Sequence, residues 1–128
     1  MLSPTREELS ALIDAIGGEA VLYRIVLRFY EVMSGDVLVG FFFAGRNLVE
    51  ISEKQSQFLL MAAGRLRDYR GKGPATAHGG LPPILSGHFD RRLVLLRQVL
   101  EGEGLAPELV SRWVRFEESF RSVVVSQE

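Results

Sequence analysis

The chain has 128 residues, 47% of them hydrophobic, and 15 basic side chains balance 16 acidic ones to a net charge of −1. That is enough apolar material for one core, so a single domain over residues 1–128 is expected, and the charge balance gives no global support to nucleic-acid binding through phosphate neutralisation. Cysteine is absent, which excludes disulfides, thiolate metal sites and a cysteine nucleophile, and no apolar run approaches the ~20 residues that span a bilayer.

Met1 to Glu8 turns polar too soon for a secretory signal, so a cytoplasmic protein with no membrane partner is expected. Ser3 followed by Pro4 reads as a helix N-cap with proline in the first turn, and Glu7 and Glu8 suit the positive end of the dipole. This helix stops at Gly17-Gly18. A second is expected from Glu19 to Met33, with Val21, Leu22, Ile25, Val26, Phe29, Val32 and Met33 on one broad stripe. After the break at Ser34-Gly35-Asp36, the run Val37 to Phe43 reads as a short helical turn and a buried corner, because no pairing strand is at hand. Asn47 with Glu50 three residues on has a capping-box pattern, and Leu48, Ile51, Phe58, Leu59 and Ala62 share a face of the helix that follows, up to Gly64. Residues 65–77 are polar, basic and glycine-containing, hence a loop, and Pro82-Pro83 forbids a regular helix. Ser86 is a candidate cap for a helix carrying Phe89, Leu93, Leu96 and Leu100 inward to Gly102. Pro107 opens a last helix with Leu109, Val110, Trp113, Phe116 and Phe120. The result is an all-α domain.

Two polar residues interrupt apolar faces. Gln55 lies four residues after Ile51 and three before Phe58, and Tyr30 lies four after Val26. A buried phenol or amide without a partner costs about 1–3 kcal/mol. Each could sit at the edge of its stripe and reach water; together they suggest a pocket with a polar ligand. The chain has two histidines, His78 in a loop and His88 beside Phe89-Asp90 at a helix start, and either is a structural residue or a ligand on these grounds alone. No HExxH, Gly-x-Ser-x-Gly, P-loop or paired-carboxylate pattern occurs, so no hydrolase is indicated.

The order of these features resembles the truncated haemoglobins over nearly the whole chain. The likeness is carried by Ile16-Gly17-Gly18, by Phe29-Tyr30 with Asp36 and Phe42-Phe43, and by Gly45-Arg46-Asn47-Leu48 with Lys54-Gln55 and Phe58. It continues through Gly64 with Tyr69-Arg70-Gly71-Lys72, and His78 with Ile84 and His88-Phe89-Asp90. The combination is most similar to the N-type (group I) subgroup, since the only tryptophan, Trp113, falls in the last helix. Three features depart from the family's pattern: Arg65 replaces the loop's second glycine, the segment from His78 to Phe89 is one residue longer and holds Pro82-Pro83, and Arg92 stands near a position that is usually apolar and faces the haem.

The resemblance implies a two-over-two helical sandwich around haem b, with His78 as the proximal ligand to iron and His88 as the alternative ligand. It places Phe43 against the porphyrin and Tyr30, Ile51, Gln55 and Phe58 on the distal side. Lys54 would lie along the haem edge, within reach of a propionate or, once deprotonated, of the iron. The basic loop residues read as solvated surface. The implied function is reversible binding of O2 and other diatomic gases (NO, CO), as in oxygen transport. Tyr30 and Gln55 would donate to the negative charge that O2 acquires on iron. Alternatives are NO dioxygenation with a separate reductase, a haem-based gas or redox sensor, and a helical interaction module that has lost haem.

Overall fold

The computed structural model describes residues 2–66 and 82–126. Helix α1 (Arg6–Ile16) begins at a capping box. Thr5 Oγ1 accepts from the Glu8 N–H at 3.1 Å, and Glu8 Oε1 accepts from the Thr5 N–H at 2.9 Å. The cap is therefore Thr5, two residues beyond the expected Ser3. The reason is local: three residues after Ser3 stands Arg6, which has no acceptor to return the bond, whereas three after Thr5 stands Glu8. Gly17, at φ 119°, takes the left-handed turn that ends α1.

Helix α2 (Glu19–Ser34) buries Leu22, Ile25, Val26, Phe29, Tyr30 and Met33. The corner after it is organised by Asp36, whose Oδ2 accepts from the N–H groups of Leu38 and Val39 at 3.0 and 3.3 Å. A 3-10 turn, Gly40–Phe43, follows. A Cβ on Gly40 would stand 2.7 Å from the Ser34 carbonyl oxygen, so only glycine lets the turn lie so close to the end of α2. Within the apolar run, Val39 and Phe42 are buried while Val37, Leu38 and Phe41 face solvent.

Helix α3 (Leu48–Ala62) is capped by Asn47, whose side chain accepts from the Glu50 N–H at 3.1 Å. It carries two stripes rather than one. Ser52, Ser56, Leu59 and Ala63 are fully buried, and α3 packs chiefly on α2. Leu48, Ile51, Gln55, Phe58 and Ala62, spaced three and four apart, are half-buried. Leu59 thus belongs to the deeper stripe, not to the face expected for it.

Helix α4 (Ser86–Gly102) is capped at Leu85, not at Ser86. The imidazole Nδ1 of His88 accepts from the Leu85 N–H at 3.0 Å, and the Ser86 hydroxyl accepts from Arg121 at 3.1 Å. Helix α5 (Pro107–Glu118) opens on proline as expected. The last helical segment, α6 (Arg121–Val124), is separate, so Phe120 lies in the junction rather than within α5.

The α2–α3 pair packs on the α4–α5 pair through α2 and α4, and α1 lies across α5 and α2. The fold is an all-α two-over-two sandwich, with no strand among the described residues. Leu95, Leu96, Val99 and Leu100 carry the α4 side of the core, while Leu93, expected there, is only half-buried. Arg65, expected as solvated surface, instead donates to the Ser10 hydroxyl and carbonyl at 2.9 Å each and pairs with Asp14 at 2.6 Å. Trp113 is 2% exposed. Truncation to alanine should cost about 3–5 kcal/mol through the cavity it leaves, and Leu93→Ala clearly less, read from urea unfolding midpoints.

Candidate ligand pocket

Four side chains from four helices meet on the inner side of the sandwich. Tyr30, on α2, is 5% exposed, so the reading in which it reaches water at a stripe edge is overturned. Its ring is framed by Phe29 at 5.5 Å and by Phe43, edge-on, at 5.6 Å between centroids. The hydroxyl accepts from Arg92 Nη2, on α4, at 3.4 Å. Arg92 Nε donates to Glu117 Oε2, on α5, at 3.1 Å. The other carboxylate oxygen of Glu117 accepts from Gln55 Nε2, on α3, at 3.2 Å. The chain Tyr30–Arg92–Glu117–Gln55 is therefore continuous.

Arg92 is 17% exposed along its side chain, and its guanidinium carbon stands 5.0 Å from the Phe29 ring centroid and 5.6 Å from that of Tyr30. Burial works against its charge, but the attraction of Glu117 and the oxygen of Tyr30 outweigh it and hold the guanidinium above its ordinary range. A third contact runs from Nη1 to the Met33 sulfur at 3.9 Å. The buried charge of Arg92 is thus accommodated by an opposite charge and two aromatic faces.

The remaining expected residues flank this chain. Phe58 packs on Phe120 at 5.3 Å and Phe116 at 6.1 Å. Ile51 is half-buried and also borders an open cleft of about 280 Å³ lined by Gly45, Arg46, Asn47, Glu50 and Lys54. Lys54 is exposed there, apart from the polar chain. His78 and the loop residues Arg67, Arg70 and Lys72 lie outside the described residues. His88 caps α4 and stands edge-on to Phe41 and Phe42 at 5.6 and 5.1 Å. Glu117 went unrecognised in the sequence, although it follows Val110 and Trp113 at helical spacing on the buried face of α5, the same signal that exposed Gln55.

A half-buried apolar stripe on α3, an aromatic corner at Phe43 and the buried polar chain Tyr30–Arg92–Glu117–Gln55 lie together on this side of the fold. These residues fit a haem. The fold is that of a globin. The chain belongs to the bacterial-like globins, whose family model matches residues 11–125. It is similar to a Group 1 truncated haemoglobin of Tetrahymena thermophila, 29% identical over 97 residues that cover 76% of this chain and 79% of that one. It is also similar to one of Chlamydomonas moewusii, 30% identical over 106 residues, covering 82% and 62%. The truncated haemoglobin of Tetrahymena pyriformis in its Fe(III) form superposes with a TM-score of 0.81 at 25% identity, over 91% of this chain and 98% of that one. A Synechococcus 2/2 haemoglobin with covalently attached haem shares the fold, with a TM-score of 0.78 at 23% identity over 91% and 98%. No helix among the described residues is long and apolar enough to cross a membrane.

The corner that carries Phe43 is tied to α4 through Arg91, whose Nη2 and Nε donate to Asp36 Oδ1 at 2.8 and 3.1 Å. The Arg91 bond, reinforced by the Leu38 and Val39 amides, holds the Asp36 carboxyl below its usual range. A depressed pKa contributes stability above the unfolded value and loses it as pH falls through the folded one. Acid titration of stability below about pH 4 should therefore be steeper in wild type than in Asp36→Asn, and the two curves should run parallel above about pH 5.

Proposed function

We propose that this globin binds haem b through His78 and takes a diatomic gas, with O2 the preferred one, on the side where Tyr30 and Gln55 stand. The observation that carries the reading is the Tyr30 hydroxyl, buried in an aromatic frame beside a half-covered apolar stripe. A bound haem supplies an iron that takes gases reversibly and shifts negative charge onto O2 far more than onto CO. Accepting from Arg92 leaves the phenol proton of Tyr30 available to a ligand, and Gln55 keeps a second amide hydrogen beyond the one given to Glu117. Phe43, Ile51 and Phe58 exclude water, so these two donors act in a medium where a hydrogen bond to charge is strong. Conversion of NO would further require electrons from a separate reductase.

The assignment of His78 rests on its place between Tyr69-Arg70-Gly71-Lys72 and His88-Phe89-Asp90, and the capping and ring contacts of His88 support leaving that residue out of the iron's coordination. The absorption spectrum of the purified protein should show a Soret band that His78→Ala abolishes or shifts and His88→Ala leaves nearly intact; exchanged outcomes would reassign the ligand.

Removing one donor to a charged ligand should cost about 1.5–3 kcal/mol, or roughly ten- to a hundredfold faster O2 release. Stopped-flow release from Tyr30→Phe and Gln55→Leu should show that acceleration for O2 and little change for CO. Equal effects on the two gases would indicate altered packing instead, and unchanged O2 release would remove these residues from the site.

A further inference from the structure

A phenol and a primary amide each carry both donor and acceptor atoms, so neither decides by itself which one it turns toward a ligand. A guanidinium only donates, and an ionised carboxylate only accepts. In this pocket each two-sided group is bonded to a one-sided one. Arg92 donates to the Tyr30 oxygen, and Gln55 donates to Glu117. Arg92 thus occupies a lone pair of the phenol, and the phenol's proton has to point elsewhere. Glu117 can be met only by the nitrogen of Gln55, because the flipped amide would set oxygen against oxygen. The ion pair between Arg92 and Glu117 joins the two halves across α4 and α5. A pair so buried seldom stabilises a fold more than well-packed apolar residues would, so stability alone is a weak reason for its presence.

We propose that Arg92 and Glu117 are positioning residues that set the hydrogen-bonding sense of the gas pocket, Arg92 by making Tyr30 a donor and Glu117 by holding the amide nitrogen of Gln55 in place. The inference rests on the reading of Tyr30 and Gln55 as ligand donors. A pocket locked in this sense selects ligands whose outer atom carries negative charge and gives no advantage to CO.

The test uses the haem-loaded protein with Arg92→Met and Glu117→Leu combined, which removes both charges together and leaves neither stranded. The expected result is a melting temperature at or above wild type, O2 release faster by about tenfold, and CO release nearly unchanged. In a Tyr30→Phe, Gln55→Leu background the same double change should have no further effect on O2 release, because it acts through those two residues. Wild-type O2 release from the charge-free protein, with Tyr30→Phe still accelerating it, would make the pair structural only and overturn the proposal while leaving the donor reading standing. Additive effects in the combined background would overturn it as well. A donor reading that fails, with Tyr30→Phe and Gln55→Leu both silent, takes this inference with it.

Glu117→Gln keeps the side-chain volume and supplies a second readout. Arg92, which only donates, holds the oxygen of the amide so introduced and leaves its nitrogen facing Gln55, so Gln55 should turn its own oxygen inward and its side-chain nitrogen resonance in the diamagnetic CO complex should shift. A resonance unchanged from wild type would overturn the positioning role of Glu117.

Discussion

Two opposite charges lie 3.1 Å apart inside an apolar sandwich, on α4 and α5, and removing either from water alone costs several kcal/mol. Their mutual attraction offsets that cost only if the remaining hydrogen-bonding capacity of both is also used. The fold meets the requirement by bringing α2 and α3 to the same point: Tyr30 and Met33 take two more contacts from Arg92, Phe29 offers its ring, and Gln55 satisfies the second oxygen of Glu117. One ion pair therefore fastens helices α2, α3, α4 and α5 at a single point.

Neighbouring arginines on α4 show how strictly the helix sorts its side chains. Successive residues are turned by about 100°, so Arg91 reaches sideways to Asp36 and the corner bearing Phe43, while Arg92 reaches inward. At the start of the same helix, Arg121 binds Ser86, Asp90 and Glu118 and lies 4.7 Å over the Phe89 ring, and His88 holds the first turn. The first turns of α4 are thus anchored through Ser86, Asp90, the Phe89 ring and His88, which fixes where this helix begins.

The fold was legible because the helices carry apolar residues at three- and four-residue spacing and are separated by glycine and proline. Helix starts were less so, since both Thr5 and Leu85 are chosen by what stands three residues later rather than by their own rank as caps. In the pocket, Tyr30 and Gln55 could be found as polar residues on apolar faces, and Arg92 as a charge at an apolar position. Its partner could not be named, because spacing along the chain does not tell which of 16 acidic residues comes to lie against a given arginine. Glu117 carries the same signal as Gln55, a polar residue at helical spacing on the buried Val110–Trp113 face of α5.

The pairing also constrains the order in which such a pocket can arise from an apolar one. A glutamic acid introduced first has a neutral form available and can wait, protonated, among apolar neighbours at moderate cost. An arginine introduced first has no accessible neutral form, and a lone buried guanidinium would forfeit about 3–5 kcal/mol of a total stability of roughly 5–15 kcal/mol. The route through Glu117 is passable and the route through Arg92 nearly closed. Once both are present, the same asymmetry holds in reverse: loss of Arg92 first leaves a carboxyl that can protonate, whereas loss of Glu117 first strands a guanidinium.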